Sequence, residues 1–178
     1  MEQAPTIFLE TGRLIFRRHV ITDMDDYCAM EMDADVRRYV GGQPRKREDA
    51  EKRFPGNAKS ATDGLGMWAT VLKNNNQYIG RCGIYQHFDS NGNPIPGEAA
   101  LGLYIAKDYW GKSYATEAGQ AFIQYGFEIL KLDRIVTMVQ VGNEASVRVM
   151  EKLGLKIVST EVGQWRNFYH YLIERPER

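Results

Sequence analysis

The segment YWGKSYATEA, residues 109–118, combines residue types that could bind an anion. Gly111 stands beside Lys112, Thr116 adds a hydroxyl, and an apolar helical pattern begins at Ala115. The first amides of a helix lack partners and carry the positive end of its dipole, so these residues could hold a phosphate. A tight glycine turn explains the segment alone equally well. The absence of a GxxxxGK[ST] pattern argues against a nucleoside triphosphatase.

The flanking elements favour the anion site. Residues 98–106, EAALGLYIA, contain one polar side chain, Glu98, and predict a buried strand that ends where the segment begins. Apolar residues at helical spacing then predict a helix over about 115–130. Ligands of such sheets lie beyond the carboxyl ends of the strands, which is where this loop would be.

The remaining pattern predicts an α+β fold with a mixed sheet in a single domain, residues 1–178. Residues 67–72 and 78–86 predict an antiparallel hairpin, whereas the strand, helix and strand over 98–141 require a crossover. The other strands are expected at 13–18, 155–160 and 166–174. Helices are expected from Thr22 or Asp23 towards Met30, over 33–40, over 46–54 up to Pro55, and from an Asn143 cap to Gly154. Loops are expected at Gly64 and Gly66 and over 89–97.

Composition excludes several classes of protein. Lysine and arginine total 23, equal to aspartate and glutamate, so no overall field would attract nucleic acid or a membrane surface. Cys28 and Cys82 form no CxxC pattern, and the three histidines are too scattered to predict a metal site. No stretch approaches the about 18 apolar residues of a membrane span. We therefore expect a reduced, cytoplasmic protein without a metal.

Three segments together resemble a known family. LETGRLIFRR, YWGKSYATEA followed by YGFE, and NEASVRVMEKLG are similar in order and spacing to GNAT acetyltransferases of the ribosomal-protein (RimJ/RimL) type. The resemblance covers nearly the whole chain. It implies a mostly antiparallel sheet with helices on both faces, splayed between the strands at 98–106 and 134–141. Acetyl-coenzyme A (acetyl-CoA) would lie in the splay and donate its acetyl group directly to a primary amine, on a protein N-terminus or a small molecule. Whether the chain acts alone or as a homodimer stays open.

The resemblance also implies which residues bind acetyl-CoA. Backbone amides near Leu103 to Ile105 would hold the thioester oxygen, and the amides of the loop before the helix would hold the pyrophosphate. Asn143 and Ser146 would lie against the pantetheine and the sulfur, where Ser146 could protonate the thiolate. Asn143 serves equally well as a helix cap. The implied cofactor residues are Leu103, Tyr104, Ile105, Trp110, Gly111, Lys112, Ser113, Tyr114, Ala115, Thr116, Asn143 and Ser146.

Two positions depart from the family pattern. Ser113 replaces a usual glycine, and a positive φ there would strain its backbone. Relatives often carry a glutamate at the position of Ala100, whereas this chain has Glu98, one pleat away on the same strand face. Glu98 could act as the general base through a water, or it could be a solvated residue at the start of the strand.

Alternatives to the assigned reaction remain at this stage. A polyamine acceptor would need carboxylates, which the early helices could supply or could use as caps: Asp23, Asp25, Asp26, Asp33 and Asp35. The substitutions at Ala100 and Ser113 also fit a coenzyme A sensor without catalysis. A scaffold protein, in which the glycine turn is only a turn, is the third hypothesis.

Overall fold

A computed structural model describes residues 6–60 and 64–177. Eight strands form one sheet in the spatial order β1-β2-β3-β4-β5-β6-β8-β7. The strands are β1 (Ile7–Glu10), β2 (Leu14–Arg17), β3 (Gly66–Leu72), β4 (Tyr78–Phe88), β5 (Pro94–Ile105), β6 (Arg134–Gln140), β7 (Lys156–Val162) and β8 (Asn167–Glu174). The helices are α1 (Met24–Met32), α2 (Ala34–Arg38), α3 (Arg47–Ser60), α4 (Tyr114–Glu128) and α5 (Glu144–Lys152).

The pairing of β5 with β6 makes the sheet mixed and opens it. All other neighbouring strands are antiparallel, whereas β5 and β6 run parallel and are joined through α4. Their pairing covers only three residues of β5, from Glu98 opposite Arg134 to Ala100 opposite Val136. Beyond that point the two strands diverge. The predicted mixed sheet with a splay between these strands is confirmed.

Helices pack against both faces of the sheet. On one face, α4 buries Ala118 and Phe122 against Ile84 and Ile135. On the other face, α1 and α3 pack against β3 and β4 and bury Phe54, among other residues. The two layers hold both halves of the sheet in place around the splay.

A buried ionic cluster fixes α1 and α2 over β4. The carboxylate of Glu31 in α1 contacts three guanidinium groups, those of Arg81 in β4 at 2.8 Å, Arg45 at 2.7 Å and Arg37 in α2 at 3.2 Å. Burial opposes ionisation of Glu31, but Arg81 and then the other two cations outweigh it and lower the pKa of this carboxyl. The cluster thereby positions α2 beside the splay.

Four boundaries differ from those expected. Helix α3 does not stop before Pro55 but continues to Ser60. An interior proline costs about 3 kcal/mol, and burial of Phe54 beside it opposes that cost. Strand β5 begins at Pro94, inside the expected loop, because its first residues pair with β4. Gly66 opens β3, and β1 lies before the expected first strand.

Within the described ranges, no helix is both long and apolar enough to cross a membrane.

Candidate active site

The splay between β5 and β6 forms a slot through the sheet. A cavity of about 630 Å³ lies in it, and a second of about 370 Å³ continues from it towards the N-terminus of α4. Leu103, Tyr104, Ala115, Asn143 and Ser146 line both cavities, so the two form one continuous cleft. The structure therefore brings the predicted β5, α4 and α5 residues together around a single space.

Backbone groups of β5 alternate between its two neighbours beyond the last pairing with β6. The Ala106 amide donates to the Ile79 carbonyl at 2.8 Å, and the register opposes Tyr104 to Arg81. Because hydrogen-bonded and non-bonded pairs alternate, the backbone of Tyr104 faces β4, whereas that of Leu103 and Ile105 faces the slot. Of the expected amides near Leu103 to Ile105, those of Leu103 and Ile105 therefore face the slot, and that of Tyr104 faces β4.

Trp110 closes one end of this row. Its indole Nε1 donates to the Ile105 carbonyl at 2.7 Å, although the ring itself is half exposed. Deeper in the slot, the Thr137 hydroxyl donates to the Leu101 carbonyl at 2.9 Å. Leu103, between these two residues, therefore has the backbone N–H best placed to receive a developing oxyanion.

The loop before α4 has the geometry of an anion cradle. Gly111 has a φ of 73°, and nothing lies within 4 Å of the place that a Cβ would occupy. The first bond of the helix runs from the Glu117 amide to the Ser113 carbonyl at 3.0 Å. The amides of residues 114–116 consequently have no intrahelical acceptor, and the Ser113 side chain caps none of them. The strain foreseen at Ser113 is present, because its φ is 64°.

Arg13 holds this loop from the neighbouring strand connection. Its Nε donates to the Glu117 carboxylate at 2.6 Å and its Nη1 to the Lys112 carbonyl at 3.1 Å. The Thr11 hydroxyl donates to the same carboxylate at 2.6 Å. Burial opposes ionisation of Glu117, but the Thr11 and Arg13 hydrogen bonds outweigh it and lower its pKa. These contacts tie residues 11–13 to the loop and to the first turn of α4.

The side chain of Lys112 does not line the cleft. Its Nζ donates to the Asp108 carbonyl at 3.0 Å and lies over the Tyr109 ring. The expected mobile charge is therefore drawn back onto the loop itself. Two other cations, Arg148 and Lys152 of α5, line the second cavity instead. They are four residues apart and thus share a helix face. This spacing of two cations is visible in the sequence and could have indicated them as ligands of an anion.

The start of α5 presents polar groups to both cavities. The Asn143 Oδ1 caps the helix by accepting from the Ser146 amide at 3.3 Å, and its amide nitrogen stays available for a ligand. The Ser146 hydroxyl, partly buried, makes no hydrogen bond within the described part of the chain. Tyr39, which follows the last residue of α2, closes the cleft opposite them, since its hydroxyl donates to the Gly142 carbonyl at 3.1 Å.

These groups fit the cofactor that the sequence resemblance implies. Free amides at a helix start, a bare Gly111 and two nearby cations suit a diphosphate. The slot beyond them suits a narrow thioester arm, to whose carbonyl oxygen the Leu103 amide would donate. When bound, acetyl-CoA would supply the activated acetyl group, and the chain would supply orientation and hydrogen bonds. The described residues contain no group of three or more side chains suited to a metal.

Glu98 is neither solvated nor part of the cavity lining. Its side chain is 6% exposed; one carboxylate oxygen contacts Arg134 Nε and the other contacts His87 Nδ1. Two neighbours of Glu98 line the main cavity instead, Ala100 on β5 and His87 on β4. The burial of Glu98 contradicts the solvated alternative. Its two ion pairs and its absence from the cavity lining argue against its acting as the base, which stays a prediction.

The five aspartates of the early helices have partners within the protein. Asp23 forms a bidentate pair with Arg17 at 2.7 and 2.8 Å, and Asp33 caps α2. Asp25 pairs with Arg47, Asp26 accepts from Gln77, and Asp35 pairs with Lys107. Of the described residues that line the main cavity, none is a carboxylate. The geometry thus favours caps and ion pairs over a polyamine pocket.

Comparisons with known proteins agree with this architecture. Residues 13–156 match the family model described as an acetyltransferase (GNAT) domain. The uncharacterized N-acetyltransferase YnaD of Bacillus subtilis is 29% identical over 175 residues, covering 95% of this chain and 98% of the relative. The GNAT-family acetyltransferase structure from Bacillus anthracis is 26% identical with a TM-score of 0.83, covering 96% of this chain and all of that one.

A more distant structure was solved with two ligands bound. It is spermidine N-acetyltransferase from Vibrio cholerae in complex with CoA and spermine, 17% identical with a TM-score of 0.74, covering 93% of this chain and 97% of that chain. At this identity the likeness shows the fold alone. The family match, the full-length relative and the shared fold together show that this chain is an acetyl-transferring enzyme that belongs to the GNAT acetyltransferase family.

Proposed function

We propose that this enzyme transfers the acetyl group of acetyl-CoA directly to a primary amine that carries an apolar or aromatic group. The acceptor is the N-terminus of a protein, as the resemblance to ribosomal-protein acetyltransferases suggests, or a small monoamine. The observation that supports this proposal is the lining of the main cavity, which combines aromatic and apolar side chains with uncharged polar groups and two imidazoles.

The aromatic walls define the acceptor end of the cleft. Tyr85 and Phe88 of β4 are 39% and 51% exposed, and both line the main cavity together with Met138 and Phe168 across the slot. Such surfaces gain about 25 cal/mol for each Å² of apolar area that a ligand covers. A second ammonium group on the acceptor would find no carboxylate there and would lose its water.

An acceptor panel that measures thiol release tests the proposal. Phenethylamine, short peptides with N-terminal Met or Phe, peptides with N-terminal Asp, and spermidine are compared at equal concentration. An unpaired charge in the cleft costs about 1–3 kcal/mol or more, so we expect spermidine to show a kcat/KM at least about tenfold below the apolar amines. A preference for spermidine or for the acidic peptides would overturn the acceptor assignment.

A binding measurement with coenzyme A distinguishes the enzyme from the sensor and scaffold alternatives. Coenzyme A at 100 times its Kd should stabilise the protein by about 2.7 kcal/mol in thermal unfolding. Stabilisation with no thiol release for any amine in the panel would favour a binding module without catalysis. Failure of coenzyme A to stabilise the fold would favour the scaffold hypothesis.

A further inference from the structure

A buried carboxylate holds an imidazole at the edge of the main cavity. His87 on β4 contacts Glu98 on β5 at an irregularity in the strand register, just beyond the pair formed by Gln86 and Ala99. Glu98 accepts a hydrogen bond from His87 Nδ1 and forms an ion pair with Arg134, and only 6% of its side chain is exposed. Two partners thus fix the carboxylate, and the carboxylate in turn fixes the ring.

We propose that His87 is the general base of this acetyltransferase and that Glu98 is its positioning residue; this rests on the proposed amine acceptor. A carboxylate that accepts from Nδ1 selects the tautomer with the proton on Nδ1, so Nε2 carries the lone pair. The His87 side chain is 39% exposed and lines the main cavity. Nε2 has no hydrogen-bond partner in the described ranges, which leaves it available to the acceptor.

Ala100 leaves the space through which a proton would pass. It lies two residues after Glu98 on the same strand face, and both Ala100 and His87 line the cavity. A general base acts within hydrogen-bond distance of the proton or through one intervening water. The methyl side chain of Ala100 makes room for that water, which a longer side chain would displace.

The proposed step balances as follows. The acceptor nitrogen forms a bond to the acetyl carbonyl carbon and gives one proton, through the water, to Nε2 of His87. The Leu103 amide stabilises the negative oxygen until the carbon–sulfur bond breaks. The sulfur leaves with the bonding electron pair and takes up the proton that His87 received, so the products are an amide and a thiol and the imidazole is regenerated.

A second imidazole at the cavity is a weaker candidate. His170 on β8 also lines the cavity, and its Nε2 contacts Glu161 at 3.0 Å. The Glu161 side chain is 57% exposed, whereas that of Glu98 is 6% exposed. Exposed ion pairs are weak and orient their members poorly. The difference in burial favours His87 and makes His170 the matched comparison.

The test compares H87A, H170A and E98Q in the full chain with whichever amine the wild type acetylates best. For H87A we expect kcat to fall about 10²–10⁴-fold with little change in the KM for acetyl-CoA, and added imidazole to restore part of the rate. E98Q should lose less, because the base remains but is poorly oriented, and imidazole should not rescue it. H170A should lose less than H87A and should also show no rescue.

Several results would overturn the assignment. The first is an H87A rate within a factor of two of the wild-type rate. The second is a loss of rate that imidazole does not rescue, in an H87A protein that still binds coenzyme A and unfolds at the wild-type temperature. The third is a larger loss in H170A that imidazole does rescue. The acceptor proposal can fail separately. If spermidine proves the best acceptor, the same H87A loss and rescue on spermidine would still support the base.

Discussion

Ser113 offers a stability prediction in which the strain is visible in one dihedral angle. Its φ of 64° and ψ of 14° lie in the left-handed region, and its hydroxyl makes no capping bond. A non-glycine residue there costs about 1–2 kcal/mol. Glycine removes that cost but returns about 0.4–1 kcal/mol through the greater freedom of the unfolded chain. We therefore expect S113G to raise the free energy of unfolding by about 0.5–1 kcal/mol.

Two matched variants separate the backbone effect from the side chain. S113A deletes the hydroxyl but keeps the Cβ, so its stability should stay within about 0.5 kcal/mol of the wild type. Lys112 is absent from the positive-φ residues among the described positions, and K112G should therefore destabilise by about 0.5–1 kcal/mol. Lys131, with a φ of 57° and distant from the cleft, should respond to K131G as Ser113 does.

Urea unfolding or calorimetry measures these differences. For a domain of this size, 1 kcal/mol corresponds to about 2–4 °C in Tm, so S113G should gain about 1–4 °C. Equal destabilisation by S113G and K112G would refute the reasoning. The change in the free energy of unfolding would then reflect only the greater backbone freedom that glycine gives the unfolded chain. Stabilisation by S113A as large as that by S113G would instead place the cost in the hydroxyl.

Three buried or anchored side chains, those of Glu31, Cys82 and Arg13, give further predictions. E31Q should lower stability by about 3–5 kcal/mol in urea, because it leaves three guanidinium groups without their shared carboxylate. The folded state lowers the pKa of Glu31, so its contribution to the free energy of unfolding is present above the unfolded pKa of about 4.3 and is lost as pH falls through the folded pKa. Below a pH of about 5, the free energy of unfolding of E31Q should therefore fall less steeply with pH than that of the wild type. Burial raises the pKa of Cys82 to about 11, so iodoacetamide at pH 8 should not label it in the native protein, as mass spectrometry can check. R13K should lose about 1 kcal/mol and weaken coenzyme A binding, because lysine cannot reach both Glu117 and the Lys112 carbonyl; unchanged calorimetric affinity would contradict that role.

Elements with local signals were predictable from the sequence. The last helix begins at its Asn143 cap and ends before Gly154, whose φ is 81°, as the cap residues indicate. The start of α4 and the splay beside β5 were also foreseen, the first from periodicity and the second from family resemblance. For the two helices, the residues that determine the feature are close together in the chain.

Features that depend on packing were not predictable in the same way. The pattern places a helix end before Pro55, but α3 continues because Phe54 is buried against α1. Proline and glycine at 94–97 suggest a loop, yet Pro94 opens β5 through its pairing with Phe88. A proline or glycine disfavours a helix or strand by a few kcal/mol, and packing against partners that are distant in the sequence can outweigh that cost.

Glu98 shows the same limit at the site itself. A single polar residue at the beginning of an apolar strand can be solvated or catalytic, and no neighbour in the sequence distinguishes the two. Its partners, His87 and Arg134, are 11 and 36 positions away and meet it only when β4 and β6 adopt their registers on either side of β5. Once both are in place, each carboxylate oxygen already has one donor, and Glu98 does not line the main cavity in which the amine would bind. What Glu98 can still do is orient the imidazole, and for that reason the chemistry at this site is best sought one strand away from the residue that the sequence indicates.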